Sequence, residues 1–257
     1  MSRHYIKKID GKKIKFPSVT TIISDCTDSS GPLTQWAANM TVEYMKENLD
    51  PFLEYNGDRW DRHDFVLEQL EKARFNFRKV SQKALDIGSE VHNAIEMLLQ
   101  GKEFVLTTDR ANRAFKAFVE WESEVDLKPI KLEQTVWGSR WAGTLDMVCL
   151  LDGVKTVVDF KTSKNFYWDS MGPQIAAYMH AINNKIMFDF SKKNPGMTFI
   201  PEDHCVLKCG ILRLDKESGM PFYRDRTKFY ERDLKIFKHM VDLYFERRPR
   251  IRKQMEA

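Results

Sequence analysis

Hydrophobic and polar positions recur along this chain with two different periods. From about residue 33 to 125 the period is helical, and candidate helices cover 33–48, 62–80, 83–100 and 108–125. The third is the clearest: Ala84, Ile87, Val91, Ala94, Ile95 and Leu98 form one apolar stripe, and Gly101 ends it. Beyond that the period shortens. Residues 130–137, 141–151 and 155–162 read as strands, and the Asp152-Gly153 turn between the last two predicts an antiparallel hairpin. Residues 169–184 return to helix, 204–214 form a further strand, and 225–246 form an amphipathic closing helix that Pro249 stops. Ahead of all this, 6–9 and 13–16 flank an Asp10-Gly11 turn signal, which predicts a short basic hairpin. Ser18 is placed to cap a helix, although the β-branched run that follows works against one. Residues 25–32 crowd Asp, Ser, Gly and Pro and read as loop.

The order of elements is helices, three strands, helix, strand, helix. It predicts an α/β or α+β core carrying an N-terminal helical region. The division that follows is a hairpin and helical part over 1–82 and a core over 83–257. At 257 residues, 42% hydrophobic and 30% charged, the chain has the composition of a folded globular protein, and 17 Phe, 8 Tyr and 6 Trp exclude disorder over most of it. No apolar run is long enough to span a membrane, and the start, Met1-Ser2-Arg3-His4-Tyr5, lacks the apolar core of a signal peptide. Cys26, Cys149, Cys205 and Cys209 are scattered and form no Cys-x-x-Cys pair, which points to a reducing, cytoplasmic setting without disulfides.

Net charge is only +4, but basic residues concentrate at both ends. Lys7, Lys8, Lys12, Lys13 and Lys15 lie at one end, and Arg247, Arg248, Arg250, Arg252 and Lys253 at the other. Such ends are either solvated or in contact with a polyanion.

Two carboxylates fall inside apolar strand patterns. Asp146 lies between Leu145 and Met147, and Asp159 between Val158 and Phe160. A carboxylate there is costly unless it is paired or bound to a metal. Lys161 shares a strand face with Asp159, because residues two apart point the same way. Two carboxylates suit a hard divalent ion such as Mg²⁺ or Mn²⁺, which polarises a phosphate and acidifies water, and a neighbouring ammonium stabilises developing charge. On their own helices, Gly88 and His92 lie one turn apart, as do Gln174 and Tyr178. Taken singly, His92 reads as a core histidine, and Gln174 and Tyr178 as a helix–sheet contact.

The ordered set Gly88-x-x-x-His92, Gly143-x-x-Asp146, Asp159-x-Lys161 and Gln174-x-x-x-Tyr178 resembles that of RecB-like PD-(D/E)XK nucleases. Pro17-Ser18-Val19-Thr20 also resembles an N-terminal feature of the phage and mitochondrial exonuclease branch. The resemblance implies a restriction-endonuclease-like α/β core, a mixed central sheet flanked by helices, and a metal-dependent DNA nuclease. By matching position, His92, Asp146, Asp159 and the Phe160 carbonyl would ligate Mg²⁺ or Mn²⁺, with Glu133 a further acidic group in the preceding strand. Lys161 would be the catalytic lysine, and Gln174 and Tyr178 would organise the site. Some relatives hold an iron–sulfur cluster through one upstream and three downstream cysteines. Here no third cysteine follows Cys205 and Cys209, both read as strand residues, so no cluster is expected.

The family implies exonucleolytic hydrolysis of single-stranded DNA or DNA ends, in replication, recombination or repair. Trp36, Tyr44, Phe52, Tyr55, Trp60 and Phe65, among Lys46, Arg59 and Arg62, would then stack bases along a channel wall, or else pack as core. The rival readings are a sequence-specific endonuclease and a non-catalytic nucleic-acid-binding module on the same fold.

Overall fold

The computed structural model describes residues 4–9, 11–27, 30–54, 59–193 and 205–251. Asp10, Tyr55, Arg252, Lys253 and the side chains of Phe52, Arg59 and Trp60 lie outside the described residues. The expected hairpin is present as β1 (His4–Ile9) and β2 (Lys12–Pro17), paired antiparallel, with Gly11 ahead of β2 at φ of 81°. Helix α1 (Val19–Cys26) follows. Ser18 caps it as expected, its Oγ accepting the Thr21 N–H at 2.9 Å. Tertiary packing overrides the β-branched sequence, because Val19, Ile22 and Ile23 are all buried.

By their contacts the residues form two compact units, 1–27 with 90–257, and 28–89. The hairpin and α1 therefore group with the sheet rather than with residues 28–89. The second unit holds α2 (Ser30–Glu47), α3 (Leu49–Glu54), α4 (Arg59–Arg74) and the first half of α5 (Asn76–Leu99). Two expectations are corrected here. Residues 30–32, read as loop, open α2, and the expected helix 62–80 breaks at Phe75 into α4 and α5. Within this unit Trp36 meets Phe77 edge-on at 6.4 Å, and the Tyr44 hydroxyl donates to Gln69 Oε1.

In the larger unit, α6 (Asp109–Glu124) precedes β3 (Leu127–Trp137), β4 (Ala142–Leu151) and β5 (Val154–Lys161). Next come α7 (Trp168–Lys193), β6 (Lys208–Leu214), β7 (Pro221–Asp225) and α8 (Tyr230–Glu246). The sheet order is β3-β4-β5-β6-β7, antiparallel throughout except for the parallel pair β5–β6. A parallel pair requires a crossover connection, and α7 lies on it. Asp152 and Gly153 turn the β4–β5 hairpin with φ of 50° and 79°, the left-handed geometry that an Asp-Gly pair accepts.

The fold is α/β, a five-stranded mixed sheet flanked by helices. On one face Val148, Val157 and Ile211 pack with Ile175, Tyr178 and Met179 of α7, Phe237 and Phe245 of α8, and Ile22 of α1. On the other, Phe118 of α6 meets Phe160 at 5.7 Å and Trp121 meets Tyr223 at 5.9 Å. Each fully buried side chain of this size contributes roughly 1.5–3 kcal/mol.

Strand β7 is an element that periodicity did not predict. It is five residues long, opens on proline and pairs at the sheet edge, which leaves almost no alternation to read. The closing helix therefore starts at Tyr230 rather than at 225, behind a 3-10 turn over Thr227–Phe229. Strand β6 begins at Lys208, not 204, which puts Cys205 ahead of the strand and corrects its expected place. No helix among the described residues is long and apolar enough to cross a membrane.

Arg226 and Asp233 form a buried two-bond pair that ties the end of β7 to α8, at 2.7 and 3.3 Å. Removing one partner leaves a buried charge uncompensated. Asp233→Ala is expected to cost ~3 kcal/mol or more of unfolding free energy in urea titration. A loss below about 1 kcal/mol would mean that solvent reaches the pair.

Candidate active site

The β4–β5 ladder runs from Leu151↔Val154 to Met147↔Val158 and stops one pair short of Asp146 and Asp159. The β3–β4 ladder contains Leu132↔Met147 and Gln134↔Leu145 but skips Glu133 opposite Asp146. Backbone pairing is thus interrupted on both sides of Asp146. Its carboxylate fills part of the gap, with Oδ2 accepting the Phe160 N–H at 2.6 Å. A strand residue points its N–H and C=O to the same side, so the Phe160 carbonyl faces the same gap.

Glu133 sits at this interruption with φ of 44°. That left-handed conformation costs a non-glycine residue on the order of 1–3 kcal/mol and persists only where its surroundings impose it. It brings the Glu133 carboxylate together with His92 of α5 and Asp146 of β4. One ligand atom from each lies within 4.8 Å of the others. His92 Nδ1 is 3.5 Å from Asp146 Oδ1, and its ring meets the Phe160 ring edge-on at 5.8 Å.

Asp159 is not part of that triad. It is 1% exposed, and its carboxylate is held by the Lys161 ammonium and by Gln174 Nε2 at 3.1 Å. Gln174 also donates to the Tyr178 hydroxyl at 3.3 Å. Gly143 belongs to the same arrangement. A Cβ there would stand 2.6 Å from the Tyr178 ring and 3.3 Å from Val19, so only glycine lets α7 and α1 approach β4 this closely. The Ser18 cap and the Ser18↔Ala142 bridge fix Val19 at that spot. The Pro17-Ser18-Val19-Thr20 segment thereby supports Tyr178 from behind.

Electrostatics separate the two aspartates. Burial pushes Asp146 up, but His92, Lys161 and the Phe160 N–H together hold it below the usual carboxylate range. Burial pushes Asp159 up to about 6; Lys161 opposes this and the Asp146 charge adds to it. Burial depresses Lys161 and His92, yet the neighbouring carboxylates outweigh it, and both end above their ordinary values. Burial, with both aspartates adding to it, raises the Tyr178 hydroxyl far out of reach of neutral pH. The neighbouring cations and the Phe160 N–H thus compensate Asp146, while Asp159 keeps a net penalty from burial.

A mixed imidazole and carboxylate donor set of this kind fits a divalent ion. His92, Glu133 and Asp146 would hold it, with the Phe160 carbonyl directed to the same gap. The expected ligands and catalytic residues thus fall into two groups: the His92–Glu133–Asp146 triad, and the Asp159–Lys161–Gln174–Tyr178 chain.

Sequence reasoning missed Arg213, which stands in register with Lys161 on β6. It donates to the Lys164 carbonyl and to Asp215, while its buried Nε has no hydrogen-bond partner. The signal was available, because Arg213 interrupts the apolar run Ile211, Leu212, Leu214, just as the aspartates interrupt theirs.

Other residues lie apart from this chemistry. Cys149 and Cys209 are buried in β4 and β6, and burial pushes both thiols up to about 12. Arg247 and Arg248 form ion pairs with Asp25, so these two C-terminal arginines are structural. No protein-family model matches the chain, and no curated protein matches it either.

Asp159 yields a pH prediction. Its folded value, about 6, exceeds the ordinary 3.8, so the folded chain keeps a proton that the unfolded chain has already released. Stability falls as pH rises from about 4 to 6, and the cost is fully present above that. In EDTA, the melting temperature of wild type should fall relative to that of Asp159→Asn as pH rises from about 4 to 7.5, on top of a pH-independent offset from unpairing Lys161. A constant gap at every pH would show that Asp159 is fully compensated.

Proposed function

We propose that this chain is a divalent-metal-dependent deoxyribonuclease of the RecB-like PD-(D/E)XK class, acting as an exonuclease on single-stranded DNA or DNA ends. One observation carries the reading: the His92–Glu133–Asp146 triad adjoins a buried Asp159–Lys161 pair across a deliberate gap in the sheet. A structural ion pair on a sheet needs neither the strained Glu133 backbone nor a second and third carboxylate.

When bound, Mg²⁺ or Mn²⁺ supplies Lewis acidity toward a phosphoryl oxygen and acidifies a water molecule. The chain's own residues do the rest. His92 and Asp146 orient one another at the triad, and Glu133 adds the negative charge that draws a cation there. Lys161 keeps its proton through its pairing with Asp159, so it presents a fixed positive charge to a phosphate whose negative charge grows during attack. Gln174 fixes the rotamer of Asp159, and Tyr178, wedged over Gly143, fixes Gln174. The sheet thus holds the charged groups before substrate arrives, which removes reorganisation from the barrier.

The test is digestion of end-labelled single- and double-stranded DNA with Mg²⁺, Mn²⁺ or EDTA. Wild type should release end-derived products only with a metal present, and Asp146→Asn should abolish them. Discrete internal fragments would favour the endonuclease reading. Absence of cleavage with any divalent ion would leave a binding module.

Lys161→Ala should lower turnover by ~10²-fold or more while DNA affinity in Ca²⁺ changes little. Wild-type turnover in that variant would reduce Lys161 to an ion-pair partner. His92→Ala should raise the Mn²⁺ concentration needed for half-maximal cleavage by about tenfold or more. An unchanged metal requirement with a lower melting temperature would make His92 structural.

A further inference from the structure

We propose that the outer face of the β1–β2 hairpin binds the phosphodiester backbone of a nucleic-acid strand beside the Asp146 centre, an assignment whose choice of partner rests on the nuclease reading. The register of the hairpin defines its two faces. Lys8 lies directly opposite Lys13, and Ile6 opposite Lys15. Residues opposite one another, and residues two apart, share a face, so Ile6, Lys8, Lys13 and Lys15 all project together. All four are exposed.

The other face is committed to the fold. Tyr5 and Phe16 meet the Trp137 ring edge-on at 6.1 and 5.3 Å, and Lys7 lies over it at 5.2 Å. The Tyr5 hydroxyl is 2.9 Å from Thr144 Oγ1. Thr144 is two residues before Asp146 on β4, so the hairpin is anchored next to the triad.

Three features select the partner. First, two lysines directly opposite each other repel, and among the described residues no acidic group pairs with Lys8, Lys13 or Lys15. A two-stranded hairpin is marginal in stability, and this face weakens it unless an anion relieves the repulsion. Second, lysines are point charges without a planar fork, which suits contact with backbone phosphates rather than reading of base edges. Third, Ile6, at 64% exposure, is the only large apolar residue among the described residues exposed on this face. One such side chain is too little for insertion into a lipid surface.

The experiment compares wild type with a Lys8→Gln, Lys13→Gln, Lys15→Gln triple variant in Ca²⁺ without turnover. Anisotropy of a labelled DNA oligonucleotide is followed across a salt series. The triple variant should bind about tenfold or more weakly, with the slope of log affinity against log salt reduced by ~2. A control with the same change in net charge, Lys116→Gln, Lys235→Gln, Lys238→Gln on α6 and α8, should bind like wild type. Should the hairpin triple fail to fold, Lys13→Gln alone should lower the slope by ~0.8.

Equal affinity and slope in wild type and the hairpin variants would overturn the assignment, as would equal losses in both triples. Binding of wild type to phosphatidylserine vesicles but to no oligonucleotide would also overturn it. The two readings fail separately. Unchanged binding by a variant of an enzyme that still cuts DNA removes only the hairpin role. Lost binding in a chain that never cuts DNA with any metal supports the hairpin role and removes only the nuclease.

Discussion

Charge buried inside a sheet is the constraint on which the rest of this molecule depends. Asp159 is closed off from solvent on a central strand, and one ammonium, one amide and the surrounding dipoles do not fully offset its desolvation. The Asp146 charge nearby adds to that penalty, while Asp146 itself is stabilised by His92, Lys161 and the Phe160 N–H. A fold selected only for stability would place apolar side chains at these positions. The arrangement instead accepts a standing energetic cost at Asp159.

That cost is met by a chain of contacts reaching far from the charges. Ser18 caps α1, α1 sets Val19, Val19 and Tyr178 close over Gly143, and Tyr178 and Gln174 lock the Asp159 carboxylate. Each link is a short-range steric or hydrogen-bonding effect. Together they place a segment near the start of the chain in mechanical contact with the middle of the sheet. The interrupted ladders around Asp146 complete the picture, because a continuous sheet would occupy the Phe160 N–H with backbone and leave no room for the Asp146 carboxylate to accept it.

Similar residues have different fates in different surroundings. Arg247 and Arg248 share the Asp25 carboxylate and help hold the end of α8 to α1, whereas Lys8, Lys13 and Lys15 face outward with no acid among the described residues to answer them. Trp36 and Tyr44, compatible in sequence with base stacking, make their contacts within the helical unit at Phe77 and Gln69.

Local chemistry made much of this readable without coordinates. The Asp-Gly turn, the Ser18 cap, the helical stripe of α5 and the apolar strand runs of β3 to β5 depend on interactions among near neighbours, so a linear reading captures them. The aspartates and Lys161 stood out because charge in an apolar strand is expensive anywhere. Three things were decided only by the tertiary structure. Edge strand β7 is too short to show a period and exists because β6 offers it a ladder. The left-handed Glu133 and the skipped pair at Asp146 follow from how three strands meet, which no single strand encodes. The division of labour between a His92–Glu133–Asp146 triad and a separate Asp159–Lys161–Gln174 group depends on distances between residues tens of positions apart. Sequence determines which groups cannot be buried alone; only packing decides which of them share the burden.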